Sequence, residues 1–417
     1  MNRRSALKSM AAAALPALSH ARADAPLCPL AGQVFCGYQG WFSCPGDGTR
    51  TGWRHYGKGG VFAPGKCGIE IWPDVSDLAP QERFSTEFRH ADGSTAQVFS
   101  SALAPTVDRH FQWMAEYGIA GAFVQRFGVE ARDRNLAPRV DRVLWNCRHA
   151  ARSHHRKIAT MYDLSGLDSD GVLALRDDWR GLVRDARLTA DPAYLRWDDR
   201  PLVAVWGVGF NDGRRYSLDA CRELIRFLTE NPEADQCRLV LGVPTGWRTL
   251  DRDAVDDPTL HEIVAMADVI SPWTVGRYRN PDEVRRHAEQ TWAPDIAWCH
   301  QRGIGYLPVI FPGFSWTNLK GGDSVFDAIP RRQGEFYWSQ VAAAREAGAE
   351  MLYGAMFDEL DEATALFKCT DTPPVGESRF LTMDGLPSDH YLWLTGQAAR
   401  ALRDEIPDTP TAPTRRN

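Results

Sequence analysis

Eight continuous apolar runs, each followed by a stretch of helical period, constrain the fold of this chain more than any other feature. Such runs are expected where helices cover one face of a parallel sheet and side chains fill the other, because the strands are then buried on both faces. Eight β–α units in order predict a (β/α)8 TIM barrel; the alternative, a doubly wound sheet, usually has fewer strands. The predicted strands are Val34–Tyr38, Gly121–Gln125, Ile158–Tyr162, Leu202–Trp206, Leu239–Val243, Val269–Trp273, Tyr306–Phe311 and Met351–Phe357.

Two connections are longer than those that usually join a strand to its helix. The first, Ser43–Pro105, carries Asp92-Gly93 between apolar residues and predicts a small hairpin. The second, Thr317–Gln333, is rich in Gly and Asp and has the composition of a lid. Both follow strands, so a barrel would place them on its catalytic face. The sequence therefore predicts a single domain, residues 24–405, with a long first βα loop.

Both termini differ in composition from this domain. Arg3, Arg4 and Lys8 precede a short apolar stretch, and Ala21-Arg22-Ala23 has the form of a cleavage site. This pattern predicts a signal peptide over residues 1–23, of the Sec or the twin-arginine type, and an exported protein, periplasmic or secreted. The tail, residues 406–417, is rich in Pro and Thr and is predicted to be disordered.

Charge and motif content exclude several classes of function. Without the basic residues of the signal peptide, 44 basic and 54 acidic residues remain, a net charge of −10. This balance argues against nucleic acid or an anionic membrane as a partner. No later segment is apolar enough to span a membrane, and we expect a monomer. There is no C-x-x-C or H-E-x-x-H motif, so we expect neither a metal nor another cofactor.

The chain contains nine cysteines, an odd number, so at least one of them is unpaired. Export permits disulfide bonds, and a Cys44–Cys67 bond would close part of the long first loop. The sequence alone does not establish this or any other pairing.

Aromatic and polar residues concentrate where the predicted strands end and in the loops that follow. Aromatic rings stack on the C–H faces of sugars, and nearby carboxylates and amides bind the hydroxyls. This concentration indicates a carbohydrate cleft, although core packing explains any single tryptophan equally well. The candidate substrate-binding residues are Tyr38, Trp41, Trp72, Asp74, Arg126, Tyr162, Asp163, Trp206, Trp273 and Trp316.

Three of these candidates have a competing structural interpretation. Asp163 precedes Leu164-Ser165-Gly166 and would also serve as a turn or helix cap. Arg126 would orient a carboxylate or a sugar hydroxyl, or would form a salt bridge with an acidic cluster near the C-terminus. Asp74 is as well placed for a turn as for a substrate contact.

That acidic cluster follows the last predicted strand, in the stretch FDELDE, residues 357–362. Glycoside hydrolysis needs two carboxyl groups, one to protonate the leaving oxygen and one to act as base or nucleophile. If the chain turns helically after Phe357, Glu359 and Glu362 share one face, and Asp358 and Asp361 form a second pair. An extended chain would instead point the two glutamates apart. The alternatives are an acidic surface turn and an irregular calcium site.

Residues 357–364, FDELDEAT, resemble the F-N-E-W-x-E-G-T motif of glycoside hydrolase family 99, whose members are endo-acting α-mannosidases and α-mannanases on a (β/α)8 barrel. More similar still are bacterial family 71/99-like proteins, often labelled xylosidase/arabinosidase. The resemblance covers nearly the whole mature chain. The segments that carry it are Val34–Phe42, Glu70–Asp74, Met161–Gly166 and Phe357–Lys368.

The resemblance implies that Glu359 and Glu362 are the catalytic pair. In family 99 the first acts as a base on the 2-hydroxyl of the substrate, and the second acts as acid and then base, with retention of configuration. The surrounding residues depart from the motif: Asp, Leu, Asp and Ala stand at positions 358, 360, 361 and 363 in place of Asn, Trp, His and Gly.

Two functions are therefore compared. The first is an exported glycoside hydrolase that cleaves an α-linked glycan (α-mannan, α-glucan or a pentose-containing polysaccharide), endo-acting and retaining. In it, Glu359 and Glu362 are catalytic, while Asp358 and Asp361 join the substrate-binding residues. The alternative is a non-catalytic glycan-binding protein on the same barrel, which the altered residues around the glutamates motivate. A metal-dependent hydrolase is a third reading.

Overall fold

The computed structural model describes residues 28–415. Their twelve strands, in chain order, are β1 (Val34–Tyr38), β2 (Phe84–Arg89), β3 (Thr95–Val98), β4 (Gly121–Phe127), β5 (Lys157–Asp163), β6 (Arg196–Trp197), β7 (Arg200–Trp206), β8 (Arg238–Val243), β9 (Val269–Pro272), β10 (Gly305–Tyr306), β11 (Val309–Ile310) and β12 (Leu352–Gly354). Each of the eight apolar runs overlaps at least one of these strands, so the predicted strand positions are confirmed.

Most of the strands form one curled parallel sheet in the order β10-β9-β8-β7-β5-β4-β1-β12-β11. The short β6 adds to β7 in the antiparallel direction. Parallel pairing of this kind needs a crossover between neighbouring strands, and the α-helices supply it. The molecule therefore has a TIM-barrel-like α/β fold.

Residues 305–310 take part in both ends of this sheet. Gly305-Tyr306 pairs with β9, and Val309-Ile310 pairs with β12. Between them, the Leu307 N–H donates to the Ile270 carbonyl (2.8 Å), while the Pro308 carbonyl accepts from the Tyr353 N–H (2.9 Å). The predicted seventh strand is thus two short strands, because Pro308 has no N–H to continue one ladder.

The helices pack outside the sheet and follow the predicted amphipathic stretches. Some begin at side-chain caps: Asp168 accepts a hydrogen bond from the Gly171 N–H, and Ser217 from the Ala220 N–H. Within the described residues the α-helices are α1 (Ala104–Tyr117), α2 (Gly128–Ala131), α3 (Ala137–Ser153), α4 (Ser169–Arg180), α5 (Leu218–Glu230), α6 (Thr259–Val264), α7 (Pro281–His287), α8 (Ala293–His300), α9 (Thr317–Lys320), α10 (Glu335–Glu346) and α11 (His390–Leu402).

Alternate residues of each strand point into the sheet's interior or out to the helices. Phe35, Phe123 and Tyr353 point inward, with ring centroids 5.7 Å apart for both Phe35–Phe123 and Phe123–Tyr353. Above this layer lies Gly37, where an added Cβ would come within 2.1 Å of Met356 and of the Tyr353 hydroxyl. Large side chains therefore fill the interior, and the strand ends are left to form a site.

The long first loop contains the predicted hairpin. Strands β2 and β3 pair antiparallel, and Gly93 adopts a φ of 84° in the turn between them. Cys44 and Cys67 are both free thiols, so the Cys44–Cys67 bond considered above is not formed.

Residues 406–415 contain no helix or strand but contact the domain. The Trp338 indole N–H donates to the Thr409 carbonyl (2.9 Å), and Arg345 pairs with Asp408 (2.6 Å). The predicted signal peptide lies outside the described residues, as do residues 416 and 417. The domain limits 24–405 and the disorder of residues 406–417 stay predictions. No helix within residues 28–415 has the length and apolarity needed to cross a membrane.

Candidate active site

The chain leaves β12 at Gly354, three residues before the predicted strand end, and then turns over Leu360–Ala363. The Ala363 N–H donates to the Leu360 carbonyl (3.3 Å), and Ala363 has a φ of 54°. The chain is therefore not extended through Glu362. It turns, and a turn is what the pairing of Glu359 with Glu362 requires. Residues 358–364 are called the acidic turn below.

Both carboxylate oxygens of Glu359 are held by neutral donors. Oε1 accepts from the Gln39 Nε2 amide (3.0 Å), and Oε2 accepts from the Thr364 hydroxyl (2.7 Å). Burial raises the pKa of Glu359 well above its usual value, and the neighbouring charge of Glu362 raises it further. The two donors oppose this shift, because they stabilise the charged form, and they fix the direction in which the carboxylate points.

Glu362 is the more accessible of the two glutamates. Its carboxyl accepts no hydrogen bond from any described residue, while its backbone carbonyl accepts one from the Ser315 N–H (3.0 Å). Burial first, and then the charge of Asp361, raise the pKa of Glu362 to about 7, while the charge of Lys320 lowers it. A carboxyl with this pKa and no fixed partner is suited to giving and taking a proton near neutral pH.

Asp358 ties the acidic turn to the end of β1. Its two oxygens accept from the backbone N–H groups of Gln39 (2.7 Å) and Gly40 (2.8 Å). Burial raises its pKa to about 7. With both oxygens held by backbone donors and the residue fully buried, Asp358 supports the turn and has no open face for a substrate.

Asp361 points to the opposite side, toward the long first loop. Its Oδ2 lies 3.2 Å from the His55 Nδ1, and its Oδ1 has no hydrogen-bond partner among the described residues. His55 stacks on Trp41 with ring centroids 4.0 Å apart, and Trp41 stacks in turn on Phe127 (5.3 Å). The predicted residues Trp41 and Asp361 are thus joined through His55 at the mouth of the sheet.

Three other predicted residues lie on the inward face at the strand ends. Asp163 is in register with Trp206, so their side chains share a face, and Trp206 contacts Trp273 at 5.5 Å between ring centroids. Asp163 accepts from the Ser165 N–H (2.7 Å), and burial raises its pKa. The indole N–H of Trp206 is buried with no hydrogen-bond partner among the described residues. Together they form a polar and aromatic wall.

Three predicted substrate-binding residues instead point outward, to the helices. Tyr38 bonds through its hydroxyl to the His110 Nδ1 on α1 (2.9 Å). Arg126 and Tyr162 both bind Asp178 on α4, through Nε (2.7 Å) and through the hydroxyl (2.5 Å). Side chains alternate between the two faces of a strand, and these three residues are each one position away from an inward-facing residue. Their side chains therefore point away from the site. The expected alternative pairing of Arg126 with the acidic cluster is also wrong.

Two more predicted residues lie away from the acidic turn. Trp72 is 1% exposed, packs between Phe62 and Phe88, and donates its indole N–H to the Gln97 carbonyl (3.0 Å). Asp74 accepts from the Ser76 N–H (2.9 Å), which is the turn role considered above. Both line a cavity of about 1100 Å³ between the β2–β3 hairpin and residues 370–382. That cavity includes neither Glu359 nor Glu362.

Trp316 lies beside the acidic turn, one residue after Ser315. It is 36% exposed, packs against Phe314 and has the Lys320 ammonium 5.2 Å from its ring centroid. An exposed indole at this place presents an aromatic face to solvent.

Four residues that hold the site together are not among the predicted ones: Gln39, His55, Thr364 and Glu70, whose N–H donates to the Leu360 carbonyl (2.9 Å). Gln39 and Thr364 lie within the segments that resemble family 71/99-like proteins, and Glu70 opens another, so these segments were the available signal. His55 lies in the long loop, where no pattern singled it out. Within residues 28–415, no group of three or more His, Cys, Asp or Glu residues is arranged to hold a metal ion.

Comparison with known proteins bears on the fold. Two solved structures of the GH99 endo-alpha-mannosidase from Bacteroides thetaiotaomicron, one of them in complex with bis-tris-propane, superpose with TM-scores of 0.63 and 0.62. Each is 14% identical and covers 90% of this chain and 98% of its own. A protein described as "Glycoside hydrolase-like protein" gives a TM-score of 0.51 at 12% identity, over 79% of this chain and 94% of its own.

No protein-family model matches the sequence, and a search of curated proteins found no match. The chain thus has the TIM-barrel-like fold of glycoside hydrolases and a distant resemblance to family 99, at an identity that establishes the fold alone.

Proposed function

We propose that this chain is a glycoside hydrolase in which Glu359 and Glu362 form the catalytic pair. The observation that carries the proposal is their common turn at the mouth of the sheet, where each carboxyl lies in a buried environment and their charges interact. Two carboxyl groups in differing environments are what glycosidic bond cleavage needs. The likeness of the fold to the GH99 endo-alpha-mannosidase structures supports the same conclusion.

Glu362 is the proposed general acid. Its carboxyl has no hydrogen-bond partner among the described residues and is the more accessible of the two, so a glycosidic oxygen can reach it. With a pKa raised to about 7, it keeps its proton in mildly acidic solution and gives it up as the pH rises through neutral. The proton moves to the leaving oxygen as the C–O bond breaks, and Glu362 then takes a proton from the incoming water.

Glu359 is the proposed partner carboxylate. The Gln39 amide and the Thr364 hydroxyl both donate to it, and such donors favour its charged form and hold it still. Burial and the charge of Glu362 act the other way and favour a proton on Glu359. We propose that in the reactive state the proton shared by the pair lies on Glu362, while Glu359 acts as base or nucleophile. Mutual repulsion disfavours the state in which both glutamates are charged.

The sugar-binding surface is proposed to lie between the inward-facing wall and the segment that carries Trp316. Asp163 supplies a carboxylate for hydroxyl groups, and Trp206 and Trp273 supply ring faces. Trp41, stacked on His55, completes the surface on the side of the first loop.

The finer features of the proposal rest on the resemblance. We propose a closed (β/α)8 barrel, supported by the pairing of residues 305–310 with both ends of the sheet. The substrate is proposed to be an α-linked glycan cleaved internally with retention, as family 99 membership would imply. Export to the periplasm or beyond, supported by the N-terminal pattern, would bring the protein to such a polymer.

The test is an assay of the purified protein on a panel of α-mannans, α-glucans and pentose-containing polysaccharides. Glu359→Gln and Glu362→Gln are each expected to lower kcat by about 10²- to 10⁴-fold or more, the usual range for a lost general acid or base. The matched control is Glu82→Gln. Glu82 is also buried and also accepts hydrogen bonds from a hydroxyl and a backbone N–H, but neither of these donors belongs to the acidic turn.

Full activity in either glutamate variant would contradict the assignment. Binding of a glycan by the wild type without any turnover would instead support the glycan-binding alternative.

A further inference from the structure

Glu70 is a buried carboxylate outside the acidic turn with an unusual set of partners. Its side chain is 0% exposed, and Oε2 accepts from the Ser315 hydroxyl (2.6 Å). Oε1 accepts from the backbone N–H groups of Asn318 and Leu319, the latter at 3.3 Å. All three donors belong to one segment, residues 315–320, which is called the flap below. The flap includes the short helix α9.

The backbone of Glu70 is fixed independently of its side chain. Its N–H donates to the Leu360 carbonyl in the acidic turn (2.9 Å), and its carbonyl accepts from the Leu381 N–H (2.8 Å). Glu70 therefore stands between the acidic turn and the flap and bonds to both. The side chain of Asn318 adds to this by donating to the Ile69 carbonyl (2.8 Å).

The flap carries two exposed side chains close to the acidic turn. Trp316 exposes its ring beside the acidic turn, and the Ser315 N–H donates to the Glu362 carbonyl. Lys320 lies near enough to Glu362 for its charge to lower the pKa of that carboxyl. The position of the flap thus sets both an aromatic surface and the charge that Glu362 experiences.

A buried carboxylate is costly unless its hydrogen bonds satisfy it, and the cost is visible here because burial raises the pKa of Glu70. Its donors come from the flap and not from the core. The side chain therefore contributes little to the barrel itself, and its contacts serve to order the flap.

We propose that Glu70 is a positioning residue that holds the flap against the acidic turn, so that Trp316 and Lys320 form the wall of the glycan cleft beside Glu362. The holding of the flap stands on the hydrogen bonds alone, whereas the role of that wall in glycan turnover rests on the proposed function. The two parts are tested separately.

The first test does not need activity. Lys320 is exposed and is followed by Gly321, so trypsin can cut after it when the flap opens. In full-length protein, Glu70→Ala is expected to speed cleavage after Lys320 by about tenfold or more, because hydrogen bonds to a charged group are lost. Glu70→Gln, which keeps one oxygen for the flap amides, is expected to lie between Glu70→Ala and the wild type.

The matched control is Glu82→Ala, which removes a buried carboxylate that has no contact with the flap. Mass spectrometry of the fragments measures the rate at this one bond. An unchanged rate in Glu70→Ala, or an equal increase in Glu82→Ala, would overturn the proposal.

The second test uses turnover. Glu70→Ala is expected to raise KM by about tenfold, and to move the alkaline limb of the kcat profile to higher pH, because Lys320 no longer lowers the pKa of Glu362. Lys320→Met should move that limb in the same direction while the flap stays closed. Because this variant has no trypsin site at position 320, amide hydrogen exchange of residues 315–319 measures whether its flap is closed. A loss of stability alone would not move the limb, so an unmoved limb in both variants would overturn the role of the wall.

A wild type that cleaves no glycan would refute the proposed function, and the trypsin result would still decide whether Glu70 holds the flap.

Discussion

His55 Nδ1 and Asp361 Oδ2 lie 3.2 Å apart, and this side-chain contact helps to join the long first loop to the acidic turn. Burial lowers the pKa of His55 to about 3 and raises that of Asp361 to about 7. The imidazole is therefore neutral over the pH range in which the enzyme would act. The contact is a hydrogen bond between a half-buried imidazole and a buried carboxyl, and only the carboxyl is able to carry charge near neutral pH.

We expect His55→Phe to keep the ring stacked on Trp41 but to leave Asp361 without its hydrogen bond. The expected loss is about 1–3 kcal/mol in the free energy of unfolding, the cost of an unsatisfied buried acceptor. Urea unfolding measures it. In a double-mutant cycle with Asp361→Ala, which removes the acceptor, the two losses should be clearly non-additive; additive losses would show that the contact has no energetic weight.

The raised pKa of Asp361 predicts how stability depends on pH. The folded state binds this proton more tightly than the unfolded chain, whose Asp pKa is about 3.9. The contribution of Asp361 to stability is therefore fully present below about pH 4 and is lost as pH rises toward about 7, by at most ~1.4 kcal/mol per pH unit.

His55 acts in the opposite sense, since its folded pKa of about 3 makes the fold more stable as pH rises toward about 6.5. The measurement must therefore be a difference between two proteins. The unfolding free energy of Asp361→Asn minus that of the wild type should increase between pH 4 and pH 7. A difference that stays constant over this range would mean that Asp361 is already ionised in the fold at pH 4.

Gly37 is predicted to tolerate no side chain. An added Cβ would meet Met356 and the Tyr353 hydroxyl at 2.1 Å, in an interior that is already filled. Gly37→Ala should cost about 1–3 kcal/mol or more, the usual penalty for overpacking a core. The matched control is Gly181→Ala: Gly181 has an ordinary helical φ of −58° and room for a Cβ. Thermal unfolding of both proteins compares them, and equal stability would contradict the described interior.

Substitutions of Tyr162 and Trp206 are expected to have different effects, one on stability and the other on KM. Both residues lie at the ends of predicted strands and are predicted to bind substrate. Tyr162→Phe removes the bond to Asp178, so stability should fall by about 1–3 kcal/mol while KM is unchanged. Trp206→Phe reduces the ring face offered to the glycan and should raise KM several-fold. Steady-state kinetics beside urea unfolding would separate them. An equal rise of KM in both variants would mean that Tyr162 reaches the substrate.

The positions of the strands and helices follow closely from the pattern of apolar residues. The runs at residues 34–38 and 239–243, for example, are buried on both faces, as a strand of a covered parallel sheet must be. The pattern of apolar residues does not reveal which residue at the end of a strand points into the interior of the sheet. The register of Asp163 with Trp206 decides that, and it depends on pairings between segments distant in sequence. The ends of the predicted strands indicate Tyr38, Arg126 and Tyr162 as site residues, but the alternation of side chains along each strand turns all three toward the helices.

The sequence of the acidic turn predicts by itself that a site lies there, since four acids after an apolar run require surroundings that stabilise them. What surrounds it was not predictable. Gln39 reaches Glu359 from the end of β1, His55 and Glu70 come from the long first loop, and Lys320 comes from the flap. Loops of this length have no periodic pattern, so no rule of spacing brings these residues together.

The first strand pairs with the last: β1 lies between β4 and β12 in the sheet. During synthesis, one edge of β1 stays without a partner until residues 352–354 have left the ribosome. The open edge of a buried apolar strand is a template for pairing with other chains. The nascent chain therefore keeps an open sheet edge until residues 352–354 are made, and the acidic turn that follows them assembles in the same step as the pairing of β1 with β12.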